Sequence, residues 1–106
     1  MGAGKERDAM MERHRIVVSI IEINSQQLRC DSLSAGLDIE RLCAMRDADR
    51  SGEVPEASEA LADIERRARE VEERKRKLKV EREWLEKSLA EFDQSHPAAP
   101  SSIKRQ

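Results

Sequence analysis

Apolar residues between positions 61 and 92 recur at alternating intervals of three and four: Leu61, Ile64, Ala68, Val71, Leu78, Leu85, Leu89 and Phe92. Only Lys75 and Arg82 interrupt the series. This is a heptad pattern, with Leu61, Ala68, Lys75, Arg82 and Leu89 at one core position and Ile64, Val71, Leu78, Leu85 and Phe92 at the other. The spacing predicts a long helix over 56–94 with a single apolar stripe. Such a helix buries little until another helix covers that stripe, so these residues form the expected interaction seam.

The first half is also compatible with helix, over 6–47, but less regular. Its centre, Ile16-Val17-Val18-Ser19-Ile20-Ile21-Glu22-Ile23, is β-branched enough to favour a strand on propensity. Charged helix formers precede it, however, and no second strand is available, so a strand here would leave its backbone groups unpaired. As a helix it is apolar on more than one face. Val17, Ile21 and Leu28 fall on one stripe, and Ile16, Ile20, Ile23 and Cys30 on a neighbouring one. A single partner needs only one stripe. The first helix is therefore expected inside a bundle of three or more helices, or between two chains. Residues 31–36, with Ser32, Ser34 and Gly36, mark a possible break, although Leu33, Leu37 and the Ile39/Leu42/Cys43 group keep helical spacing across it.

Residues 48–55 carry the clearest turn signal, Asp49-Arg50-Ser51-Gly52, and Pro55 suits the first turn of a following helix. Glu56 and Glu59 would then place negative charge at that helix's positive end. The predicted fold is all-α: an elongated antiparallel helical hairpin with coiled-coil character, packed into a multi-helix bundle or an oligomer. Folding at Ser51-Gly52 would bring Leu42 and Met45 near Leu61, the Ile-rich centre near Leu78 to Leu85, and Lys75 near Leu28 and Asp31. Residues 1–5 read as a flexible leader and 95–106 as a disordered tail.

Composition sharpens this picture. Of 106 residues, 40% are Asp, Glu, Lys or Arg and only 2% are aromatic, which leaves few side chains to wall a substrate pocket. A chain this small barely offsets its ordering entropy by burial, so obligate partners or self-association are expected. The net charge of −2 argues against a globally basic nucleic-acid binder. Cys30 and Cys43, in helical sequence with no small secreted framework around them, read as reduced thiols of an intracellular, cytoplasmic or nuclear protein. No apolar run is long enough to span a membrane, and the opening residues do not read as a signal peptide, so none is expected.

Chemical motifs are sparse. Asp47-Ala48-Asp49-Arg50-Ser51-Gly52-Glu53-Val54 resembles the front half of an EF-hand calcium loop, with Asp47, Asp49, Ser51 and Glu53 as candidate ligands. The twelfth position is Ser58 instead of the bidentate Glu, and Pro55 holds the ninth, so a plain polar turn is the stronger reading. His14 and His96 lack companions at metal spacing, and Gly2-Ala3-Gly4-Lys5 is a fragment of a phosphate loop without its strand. No nucleophile–His–acid set can be assembled; no enzymatic activity, metal or cofactor is expected. The basic run Arg74 to Lys79 lies between Glu70, Glu72, Glu73 and Glu81, Glu83, Glu86, a self-supporting solvated helix face.

Interaction chemistry remains. Lys75, Arg82 and Asn24 are candidate specificity positions, because polar residues in a seam set register and partner at a cost in stability. Trp84 with Val80 lies off the seam, and together with Ile16, Ile20 and Ile23 is expected to face partners. The sequence thus points to a non-enzymatic helical subunit or scaffold joining other helical proteins. A small helical chaperone or adaptor for a secretion or cytoskeletal client is the alternative, and a calcium-responsive module a distant third.

Overall fold

The computed structural model describes residues 2–97, which form two long helices and no strand. Helix α1 covers Gly2–Arg50, and α2 covers Glu59–Ser95. Between them lies a short connection with one 3-10 turn, Pro55–Ala57. The two helices fold back on each other as an antiparallel helical hairpin.

The connection shows how local chemistry stops one helix and starts the next. The Gly52 N–H donates to the Asp49 carbonyl at 3.1 Å and the Glu53 N–H to the Ala48 carbonyl at 2.9 Å. With Gly52 at φ 73°, these bonds make a Schellman C-cap, and glycine is the residue that takes this left-handed conformation without a Cβ clash. Helix α2 then opens on Ser58. Its carbonyl accepts the Ala62 N–H at 3.1 Å, and its Oγ accepts the Leu61 N–H at 3.2 Å, the bonding of an N-cap. Pro55 begins the 3-10 turn instead of the long helix, so α2 starts at Glu59, three residues later than the spacing alone suggests.

Three further boundaries are sharpened. Residues 2–5, expected to be a flexible leader, form the first turn of α1. Once the helix formers of Lys5 to Arg15 are helical, each added residue gains a hydrogen bond, which offsets the cost of Gly2 and Gly4. Helix α1 runs unbroken through 31–36. At the far end, the expected tail begins after Ser95; His96 still bonds back to Phe92, its ring stacked on the Phe92 ring at 4.2 Å. Residues 98–106 of that tail lie outside the described residues.

Gly36 sits in mid-helix, and a Cβ built there meets nothing within 4 Å. Substitution by alanine therefore removes backbone freedom from the unfolded chain without a clash. Gly36→Ala is expected to stabilise the hairpin by about 0.5–1 kcal/mol, read as a higher melting temperature by circular dichroism.

By packing, the chain divides into two compact units. One comprises residues 25–78 and includes the connection. Its buried residues are Cys30, Leu37, Ala48, Ser58, Leu61, Ile64 and Leu78. Cross-helix ion pairs mark its register: Lys75 Nζ lies 3.5 Å from Asp31, Arg67 2.7 Å from Glu40, and Arg41 2.5 Å from Glu65. The other unit joins residues 2–24 to 79–97. It buries Ile16, Ile23 and Leu85, and is tied by Arg13 to Asp93 at 2.9 Å.

Candidate interaction surfaces

On α2 the predicted seam is the covered face. Leu61, Ile64, Leu78 and Leu85 are buried, while Ala68, Val71, Leu89 and Phe92 are half-buried. Lys75 and Arg82, the two breaks, are also half-covered. Lys75 meets its expected contact, Asp31, and adds Glu72 at 3.6 Å; attraction to Glu72 is the main reason its ammonium holds its proton more tightly than usual. Arg82 bonds to Glu86 at 3.0 Å along its own helix. Both charges thus keep their heads in water and lay their stems along the seam.

Helix α1 has a matching inner seam, of which the spacing shows the stripe Ile16, Ile20, Ile23 and Cys30 but not its continuation to Leu37 and Ala44. Ile16, Ile23, Cys30 and Leu37 are buried at strict seven-residue intervals; half-buried Ala44 continues the row, and Ala48 is buried at the connection. The signal was weak because the alternate row runs Ile20, Gln27, Ser34, Arg41, mostly polar residues, all half-buried. This corrects the expectation that Ile16 and Ile23 face partners. Both are buried within the chain's own hairpin, because a seven-residue row, not the neighbouring stripe, is what stays against an antiparallel helix. Ile20 lies at the edge of the same row.

The remaining apolar residues of α1 point elsewhere. Met11, Val18, Ile21, Leu28, Ala35, Ile39 and Leu42 are all exposed. They too recur at three-four spacing, with His14, Ser25 and Ser32 in the intervening places. From Met11 to Leu42 this outer seam carries no Asp, Glu, Lys or Arg. Leu42 therefore turns away from Leu61, against expectation, whereas Met45 and Leu61 do line a common recess. On α2 the only such feature is Val80 with Trp84, each 65% exposed and one turn apart among charged neighbours.

Asn24 is half-buried, and its side-chain carbonyl oxygen is enclosed without a hydrogen-bond partner. Enclosing an unpartnered acceptor costs about 1–3 kcal/mol. Replacing Asn24 by leucine is accordingly expected to raise the melting temperature; an unchanged or lower value would show that the amide is satisfied in solution.

Carboxylates on the flanks are held in the charged form. The Arg67 guanidinium bonded to Glu40 lowers that carboxyl's pKa below its ordinary value of 4.5. Bonds from Arg66 and then Arg67 do the same for Asp63, and Arg13 for Asp93, each from an ordinary 3.8. A depressed folded-state pKa contributes stability that is fully present above the ordinary value and is lost as pH falls through the depressed one. Melting temperature is thus expected to be level near neutrality and to drop below about pH 4, the drop shrinking in high salt because these groups are exposed.

The calcium-loop candidates do not assemble into a loop. Asp47 and Asp49 lie in the last turn of α1, two residues apart, so their carboxylates diverge. The Ser51 hydroxyl donates to the Asp47 carbonyl at 2.7 Å, as part of the helix end. Among the described residues no three His, Cys, Asp or Glu gather as a metal site, and no helix is long and apolar enough to cross a membrane. A surface recess lined by Glu65, Ala68, Arg69 and Glu72 draws all its lining from α2, an open helix face with no opposing wall.

No protein-family model, curated protein or solved structure matches the chain significantly.

Proposed function

We propose that this protein is a non-enzymatic helical interaction subunit, which uses its hairpin as a frame and presents a second apolar helix face to other helices of an intracellular assembly. The observation that carries this reading is the outer seam of α1. The inner seam is already spent on the chain's own α2, yet Ile21, Leu28, Ile39 and Leu42 stay 60%, 68%, 64% and 65% exposed on an uncharged stripe. Leaving a single large aliphatic residue exposed is ordinary, but a row of them along one helix marks a contact surface. The exposed Trp84–Val80 pair offers a second, smaller anchor, since isolated aromatics contribute heavily to interfaces.

The test is circular dichroism combined with light scattering on the isolated chain. Helical protein that associates with itself, or that is captured into a stoichiometric complex lost on Leu28→Asp, is the expected result. A stable, fully helical monomer with no partner sensitive to that substitution would overturn the proposal.

A further inference from the structure

We infer that the outer seam of α1 is covered by α1 of a second copy of this chain, packed antiparallel about a two-fold axis. The inference rests on the interaction-subunit reading above and names the partner. It is drawn from α1 alone, an unbroken helix.

A partner helix must satisfy both the apolar row and the charges beside it. The flanking positions next to this row hold Arg15, Glu22, Arg29 and Gly36 on one side, and Asn24, Asp31 and Asp38 on the other. Among the described residues neither Glu22 nor Arg29 has an ion-pair partner within the chain, although each stands beside the exposed seam.

In an antiparallel pair, seam residues of one helix meet those of the other in reverse order, and each flank faces the same flank of its partner. One register stands out. With the axis between Gln26 and Gln27, Val18 meets the partner's Ala35, Ile21 meets the partner's Ser32, and Leu28 meets the partner's Ser25. Large residues are opposed by small ones in these central layers, while at the ends Met11 meets the partner's Leu42 and His14 the partner's Ile39. In this register Glu22 faces the partner's Arg29 and Arg29 faces the partner's Glu22, so two-fold symmetry makes the pair twice. Sliding one helix by a heptad in one direction sets Arg29 against its own copy, and in the other sets Glu22 against its own copy. A parallel pairing gives neither charge an opposite neighbour: Glu22 would face the partner's Val17, and Arg29 the partner's Asn24. Charge complementarity therefore selects the antiparallel homodimer.

Sedimentation equilibrium on the full chain tests the association, and charge exchange tests the register. Wild-type protein is expected to dimerise. Glu22→Arg and Arg29→Glu should each weaken the dimer by tenfold or more, and the Glu22→Arg/Arg29→Glu double variant should recover it. Both side chains are exposed, so circular dichroism should show unchanged helix content in all three.

Orientation is read from a spin label on Cys43, which is exposed while Cys30 is buried. At 1.5 Å rise per residue the antiparallel register separates the two labels by roughly 50 Å, whereas a parallel dimer brings them within roughly 20 Å. A monomer at high concentration, a dimer indifferent to the charge exchanges, or a short label distance would each overturn the inference. If the chain stays monomeric but a different helical protein binds it through Leu28, this inference fails while the interaction-subunit reading stands.

Discussion

Ile64→Ala is expected to destabilise the protein by about 2–5 kcal/mol, enough to unfold much of so small a hairpin near physiological temperature. Ile64 is 4% exposed and occupies a core position of the α2 seam, in the unit formed by residues 25–78. Truncation removes apolar contact and leaves a void that two helices cannot easily close, since each is held at fixed pitch by its own hydrogen bonds. The comparison variant is Val80→Ala on the same helix. Val80 is 65% exposed, so its truncation should lie within about 0.5 kcal/mol of wild type. Urea melts followed by circular dichroism measure both. Similar losses from the two variants would mean that the seam is not the stabilising face of α2.

Ser58→Ala carries the second large effect, a loss of about 1–2 kcal/mol. Ser58 is buried, and its Oγ is the acceptor for the Leu61 N–H at the start of α2. Alanine leaves that donor unbonded beside the buried Leu61, at the end of the helix that must start in the right place to keep the seam in register. Ser58→Asp separates the cap from mere burial. Aspartate is an equally good cap and adds favourable charge at a helix N-terminus, so in a pure capping role it should restore most of the loss. If aspartate is as damaging as alanine, the tight packing around Ser58 dominates instead of the hydrogen bond.

These two residues also show which parts of the fold were legible. Ile64 belongs to a series whose three-four spacing is visible without any structure, and the covered face of α2 follows it residue by residue. Ser58 was hidden because Pro55 and Ser58 both look like helix starts, three residues apart. Only the path of the connection, with Val54 and Ser58 both extended around the 3-10 turn, assigns the cap to Ser58. The inner seam of α1 was obscured for a different reason. Cys30, Ala44 and Ala48 are small, and Gln27, Ser34 and Arg41 dilute the row, so the larger aliphatics on the other face dominated the pattern.

That ambiguity is instructive about the site. Ile16 and Ile21 are equally hydrophobic and five residues apart, yet one is buried and the other open. Side-chain chemistry cannot rank two apolar faces of one helix; the position of the opposing helix does. The same holds for Asp31 and Lys75, whose meeting requires the chain to fold back symmetrically about its turn, as the spacing from Gly52 suggested.

By itself the sequence determined the helical periodicities and the place where the chain reverses. These are local properties, set by spacing, capping chemistry and side-chain type within a few residues. Only the tertiary structure decided which stripe of α1 the hairpin consumes and which it leaves in water. Burial is a property of pairs of surfaces, and each α1 stripe was competent until α2 occupied one of them.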